Sequence, residues 1–160
     1  MSDAIESFNV KGLDQLLKAI KEKPPGCRVG ILGKSNNRSD QKAGIVLHNA
    51  DIGMIHEMGS IKRKIPPRSF LRVPVSEGLM REVESRQLLD ENVLKDVIKE
   101  GSTRPWLEEV AVAAVAVVAD AFESGGGGKW PPHAPGYTNN TGQLLIDTQQ
   151  LRNAVTHEVK

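Results

Sequence analysis

Cysteine occurs once in the 160 residues, as Cys27. No internal disulfide can form, and the chain suits a reducing compartment. Cys27 lies in an apolar run, which predicts a buried thiol that packs as a small hydrophobe rather than one that reacts. Aromatic residues make up 4% of the chain and do not interleave with basic ones, so the stacking platform of a single-strand nucleic-acid binder is missing. Charge of one sign is missing too: 21 Lys and Arg against 20 Asp and Glu leave a formal net charge of +1. A dedicated duplex-DNA binder carries a basic excess or a basic stripe. The longest apolar run, Val110 to Ala119, is ten residues long, where a membrane crossing needs about twenty. The opening MSDAIESFNVKGLDQLL carries acids and lacks the basic-then-apolar layout of a signal peptide. The expectation is a soluble, unexported protein that meets no membrane.

Glycine (15) and proline (9) are plentiful and cluster between periodic segments. The length corresponds to about one domain on the usual scale of roughly 100–200 residues. Leu13, Leu16, Leu17 and Ile20 recur at helical spacing, with Asp14, Gln15, Lys18 and Lys21 between them. That pattern is an amphipathic helix, stopped by Pro24-Pro25-Gly26. In Cys27–Gly33, Val29 and Ile31 alternate with small or polar residues, which predicts a short strand. Lys34–Lys42 is polar and aperiodic, an exposed loop or hairpin tip. Ala43–Met58 reads as a short helix, with a strand left open for its first half. Gly59 closes it, since glycine takes a positive φ without steric cost.

Ile65–Phe70 is extended, because consecutive prolines remove amide donors and disfavour the α region before them. Val75–Lys99 is helical with a break near Asp90-Glu91-Asn92. Ser102 or Thr103 caps the next helix, Pro105 fits its first turn, and Glu108 and Glu109 sit near the positive end of its dipole. That helix continues through an Ala/Val stretch that is apolar nearly all round and demands cover on more than one side, from a sheet and from neighbouring subunits. Gly125–Gly128 ends it. Lys129–Gly142 holds three prolines, two glycines and two aromatics; it is too long and irregular for a simple connection and reads as a docking arm. Leu144–Asn153 reads as a turn and a short helix capped by Asp147-Thr148, and Ala154–Val159 alternates as a final strand.

The predicted class is α+β, a small and mostly antiparallel sheet packed against a long Ala/Val-rich helix, with extended loops and a C-terminal arm. Residues 1–124 form the core domain, residues 125–143 a flexible Gly/Pro-rich arm, and residues 144–160 a helix and strand that return to the core or to a neighbouring subunit.

Catalytic patterns do not assemble. His56-Glu57 lacks the second histidine four positions after the first that a zinc peptidase needs to place both on one metal; position 60 is Ser. His48 and His56 could share a helical face but have no carboxylate cluster beside them. Gly125–Lys129 follows a helix and precedes Trp130, the reverse of a phosphate loop. Ser35, Ser39 and Ser69 lack the nucleophile-elbow spacing. No catalytic residue, metal ligand, cofactor or small-molecule substrate is expected. Lys62-Arg63-Lys64, with Arg68 and Arg72 nearby, is the densest basic patch and suits either DNA in a channel or acids on a partner.

Two segments are more specific. The first, Ile55-His56-Glu57-Met58-Gly59-Ser60, runs through a basic insert into Ile65-Pro66-Pro67-Arg68-Ser69-Phe70-Leu71-Arg72. The second begins at Trp130-Pro131-Pro132, passes Tyr137-Thr138 and ends in Leu145-Ile146-Asp147-Thr148-Gln149-Gln150-Leu151-Arg152-Asn153-Ala154-Val155. Together they resemble the tail-completion and head–tail joining proteins of tailed bacteriophages, a group of small neck, virion-morphogenesis and minor tail proteins. The group's pattern is a His-Glu-aromatic-Gly-Thr turn, then Ile-Pro-Ala-Arg-Pro-Phe-Leu-Arg, and later Leu-Ile-Asp-Thr-Gly-x-Leu-Arg-Asn-Ser-Ile. Met58, Ser69 and Gln149 stand where that pattern has an aromatic, a proline and a glycine.

The resemblance implies a non-enzymatic virion protein, made in the host bacterial cytoplasm, that forms a homo-oligomeric ring, a hexamer by expectation. The ring would sit between the portal-side connector and the tail terminator or tail tube, with packaged DNA in its lumen. Its rivals are a tail terminator that caps the tube and, more remotely, a virion-associated hydrolase. Interface residues expected on this reading are Pro66, Pro67, Arg68, Phe70, Leu71, Arg72, Trp130, Pro131, Tyr137, Leu151 and Arg152, with Lys62, Arg63 and Lys64 as the DNA-channel contact. Prolines pre-order such an interface at low entropic cost, and Trp130 would be its aromatic anchor.

Overall fold

The Ala/Val run forms the longest described element, a 21-residue helix from Arg104 to Ser124, and most of the fold is laid against it. The computed structural model describes residues 10–22, 25–38, 47–137, 141–147 and 149–160. In chain order these form α1 (Val10–Glu22), β1 (Cys27–Ile31), a 3-10 turn (Gly33–Asn36), α2 (Asn49–Met58), α3 (Arg72–Ser85), α4 (Glu91–Glu100), α5 (Arg104–Ser124), α6 (Gln150–Asn153) and β2 (Val155–Val159). The class is α+β, mostly helical, with a two-stranded antiparallel sheet among the described residues. Pro24, residues 39–46 of the polar loop and of the first half of the Ala43–Met58 segment, and Thr138 and Thr148 lie outside the described residues.

β1 and β2 pair with Cys27 opposite Val159 and Ile31 opposite Val155. The ladder continues one step outward, where Gly26 and Lys160 exchange N–H···O bonds of 3.3 and 2.9 Å. The two strands lie across α5, and α3 packs on α5 as well. Small residues let these elements come close. Ala111 and Ala113 are fully buried, and a Cβ on Gly78 of α3 would stand 3.0 Å from Val117 Cγ1 of α5. The main core joins Phe70, Val118, Phe122, Ile146, Leu151 and Val155 around the carboxy-terminal half of α5. A smaller one gathers Val83, Leu88 and Ala113 with Trp106 at its amino-terminal half. Each large side chain buried there contributes roughly 1.5–3 kcal/mol.

Several local details differ from the pattern reading. Cys27 is half-buried rather than buried. α3 starts at Arg72, three residues earlier than the apolar periodicity indicates, because its first turn receives caps from elsewhere. α4 starts after Asp90, whose carboxylate accepts the Asn92 N–H at 3.3 Å. At α5 the capping oxygen is Ser102 Oγ, accepting from Arg104 N at 3.2 Å, while Thr103 makes no side-chain cap. The residue that precedes α6 is Gln149 at φ +60, whose own side chain makes no cap, and Thr148 of the expected Asp147-Thr148 cap lies outside the described residues. A non-glycine residue at that φ carries backbone strain of about 1–2 kcal/mol, and this is the position where the phage pattern has glycine.

Gly125 to Gly128 all have positive φ, from +61 to +75. They wind the chain into a turn in which Gly126 N donates to Ala121 O at 2.7 Å and Trp130 N to Gly125 O at 3.1 Å. The segment read as an arm therefore begins by folding back on its own core.

Candidate functional site

Glu57 ends α2 and points its carboxylate at the start of α3. It accepts N–H groups from Phe70 at 2.9 Å, Leu71 at 3.0 Å and Arg72 at 3.1 Å, and the Ser69 hydroxyl at 2.5 Å. Ser69 Oγ in turn accepts the Val73 N–H at 3.0 Å, and Pro74 brings no amide hydrogen. The unsatisfied donors of the first helical turn are thus closed by one distant carboxylate and one hydroxyl, and a negative group stands at the positive end of the helix dipole. Within His56-Glu57 it is the Glu57 carboxylate that serves as the cap of α3.

The preceding turn is fixed by Gly59, at φ +74, where a Cβ would come within 2.9 Å of Ile65 O and Pro67 N. Ser60 and Ile65 bridge across Ile61-Lys62-Arg63-Lys64. Pro66 and Pro67 then run extended until Arg68 N donates to His56 O at 2.7 Å. Arg68 is buried, 6% exposed, and its guanidinium donates from Nε to Pro131 O at 2.9 Å and from Nη2 to Pro132 O at 2.8 Å. Burial pushes that guanidinium below its ordinary value, with the Tyr137 hydroxyl acting in the other direction. The Trp130 indole N–H donates to Ser69 O at 3.1 Å. Its ring meets Phe122 edge-on at 5.9 Å, and Phe122 meets Phe70 at 5.1 Å.

The two sequence blocks, 63 residues apart at Arg68 and Pro131, therefore close into one junction over the end of α5. Glu57, Ser69, Arg68 and the Trp130 indole are occupied there in positioning backbone. The expected interface set divides accordingly. Arg68, Phe70 and Leu151 face inward, 2–6% exposed, and are not offered to a partner by the folded protomer. The reason is plain for Phe70 and Leu151, large apolar side chains that the α5 core absorbs, and Arg68 finds two carbonyls that match its fork. Leu71, Trp130, Pro66 and Pro131 are half-buried, with Leu71 and Trp130 packed on the main core. Arg152 is half-buried and paired with Glu123. Pro67, Arg72 and Tyr137 are exposed, as are Lys62, Arg63 and Lys64.

Three features escape the sequence patterns. Buried Asn49 donates to Ser35 O and Asn37 O, both at 2.9 Å, and accepts from Arg38 at 3.0 Å, which staples the 3-10 turn to α2. His56 Nδ1 and His133 Nε2 are buried without a hydrogen-bond partner among the described residues. An open groove of about 450 Å3 runs between α3 and α5, with Trp130 in its wall. Among the described residues no group of three His, Cys, Asp or Glu side chains is placed to hold a metal ion, and no helix is long and apolar enough to cross a membrane. Comparison with protein-family models, curated proteins and solved structures finds no match.

Proposed function

We propose that this chain is a structural protein of the phage neck, one that completes the tail end and joins tail to head as an oligomeric ring. What supports the reading is the junction itself. The two blocks that resemble the head–tail joining proteins form one unit, tied by Arg68 to Pro131 and Pro132 and by Trp130 to Ser69. Glu57, Ser69, Arg68 and the Trp130 indole are engaged in capping and clamping, which suits a shaped surface better than a reacting centre. Rigid loops on a fixed core suit assembly, because little conformational freedom is lost on docking.

Phage particles that lack the protein test this directly. The expected outcome is filled heads beside unattached tails of normal length. Overlong tails would instead assign the chain as a tail terminator. A virion-associated hydrolase would lose activity on His56→Ala or His133→Ala with particles still assembling. Glu57 is unsuitable for that test, since its removal uncaps α3. Deleting residues 125–160 likewise probes folding, because it removes β2 and Trp130 from the core.

A further inference from the structure

We propose that β1 of one copy pairs edge to edge with β1 of a second copy, antiparallel about Val29, so that the two sheets become one. A two-fold contact of this kind closes on itself as a dimer. It goes beyond the neck reading and does not depend on it.

The ladder shows which side of β1 is open. Gly26 and Lys160 exchange both N–H···O bonds, which makes them a hydrogen-bonded pair, and such pairs recur at every second residue of an antiparallel ladder. With Cys27 opposite Val159, Arg28 and Gly30 therefore turn their backbone groups toward β2. Cys27, Val29 and Ile31 turn theirs outward. No backbone N–H or C=O of these three has a partner among the described residues. All three residues are half-buried and uncharged, and no proline falls inside the strand to guard its edge. The outer side of β2 is different: Val155 and Val159 are 9% and 6% exposed, and His157 is held by Glu108 of α5 at 3.2 Å. A row of unpaired donors and acceptors on an accessible strand is a template for another strand.

The edge is its own complement, which favours a second copy over a strand of another protein. Turned about Val29, the second copy sets its Val29 opposite Val29 and its Ile31 opposite Cys27. Every outward residue then faces an outward residue, each such pair exchanges two bonds, and none of the outward groups is left over. A strand from elsewhere would have to match this length and phase, whereas a copy matches both by construction. The side chains agree. On the face where Val29 and Ile31 pack on the main core, apolar meets apolar, with β-branched Val29 against Val29. On the opposite face Arg28, already across from Glu158, comes opposite Gly30 of the second copy, so no like charges are directly opposed.

Hydrogen exchange on the full chain, followed residue by residue as the concentration rises, reads the contact directly. Self-association should appear, and with it the amides of Cys27, Val29 and Ile31 should slow about tenfold or more. Arg28 and Gly30, bonded to β2, should stay as slow as before. A chain that is monomeric at every concentration overturns the proposal and leaves the edge to a strand of another protein. Self-association in which those three amides stay fast overturns it too. Val29→Pro removes an outward N–H and spares the β1–β2 ladder, so it should weaken the pairing about tenfold or more; undiminished association would sink the contact. Should that variant fail to fold, cross-linking decides. In a Cys27→Ser background, two copies of Arg28→Cys would stand about 8 Å apart between Cα atoms, and two copies of Glu158→Cys about 16 Å. A short thiol-reactive linker should join the first and not the second. Joining neither, or the second in preference, overturns the pairing, while the joining phenotype of particles lacking the protein is read separately.

Discussion

The two ends of α5 solve the same packing problem by different means. Each has a tryptophan whose indole N–H reaches a backbone carbonyl on another segment: Trp106 to Leu88 O at 2.8 Å and Trp130 to Ser69 O at 3.1 Å. At the amino-terminal end the partners are near in sequence, 18 residues apart for Trp106 and Leu88, and the contacts are almost wholly apolar. α4, which leads into that end, contributes no buried residue. At the carboxy-terminal end the corresponding separation is 61 residues. There α5 gathers side chains from β1, α2, the start of α3, the turn after Gly128, α6 and β2, and a capped and clamped polar network sits on top. The local end needs only hydrophobic patterning. The distant end needs directional bonds to set which segments meet, because apolar burial is non-directional.

That contrast can be tested by substitution, beginning with the largest effect. Phe122→Ala removes the ring between Phe70 and Trp130 and should destabilise by about 3–5 kcal/mol in urea unfolding, against the lower part of the roughly 2–5 kcal/mol range for Leu88→Ala at the more open end. A larger loss for Leu88 would reverse the ranking of the two cores. Glu57→Ala comes next. It strands three backbone donors at the head of α3 beside a side chain only 11% exposed, and the expected cost is about 2–4 kcal/mol. Glu57→Gln should recover part of it, as one acceptor oxygen survives. If Glu57→Ala proves neutral, the cap is ornamental and the apolar cluster alone holds the junction. The matched pair Trp106→Phe and Trp130→Phe keeps most of each ring and removes one N–H. Each should cost about 1 kcal/mol, so a clear inequality would show which carbonyl has no substitute donor.

The sequence patterns mark events within a few residues well and contacts between distant segments poorly. The period of Leu13, Leu16, Leu17 and Ile20, the break at Asp90, the glycine stop after Ser124 and the alternation in Val155–Val159 are all events within a few residues, and each corresponds to an element. Phe70, Leu71, Trp130 and Leu151 drew notice as partner anchors because large apolar residues beside proline and glycine look exposed in one dimension. Only the return of the chain through the positive-φ glycines 125–128 turns them inward. Glu57 could not be identified as the cap of α3, since the donors it serves begin 13 residues later and a capping box spans three. Asn49 was equally silent, because the carbonyls it satisfies lie on a preceding turn with no periodic signal. What the patterns did mark at the distant end is that two segments carry unusual residues in a fixed order, and those segments are the ones that meet.

The smallest effect concerns His56, which belongs to the distant end alone. Burial lowers its pKa from the ordinary 6.5, and the neighbouring positive charge of Arg68 lowers it further. Its Nδ1 is buried without a partner among the described residues, so a proton added there gains no acceptor from them and meets a cation. The unfolded chain therefore binds the proton more readily than the folded one. The stability that the neutral ring contributes is fully present above about pH 6.5 and is lost as the pH falls through the lower, folded value. Urea midpoints measured from pH 7.5 down to 5 should decline, and His56→Asn should flatten that part of the decline whatever it does to the midpoint at pH 7.5. Arg68→Met should flatten it only in part, since burial, the larger cause, remains. An unchanged slope in His56→Asn would mean that the acid sensitivity arises elsewhere, and that the carboxy-terminal end is distinguished from the other by its geometry and not by its titration.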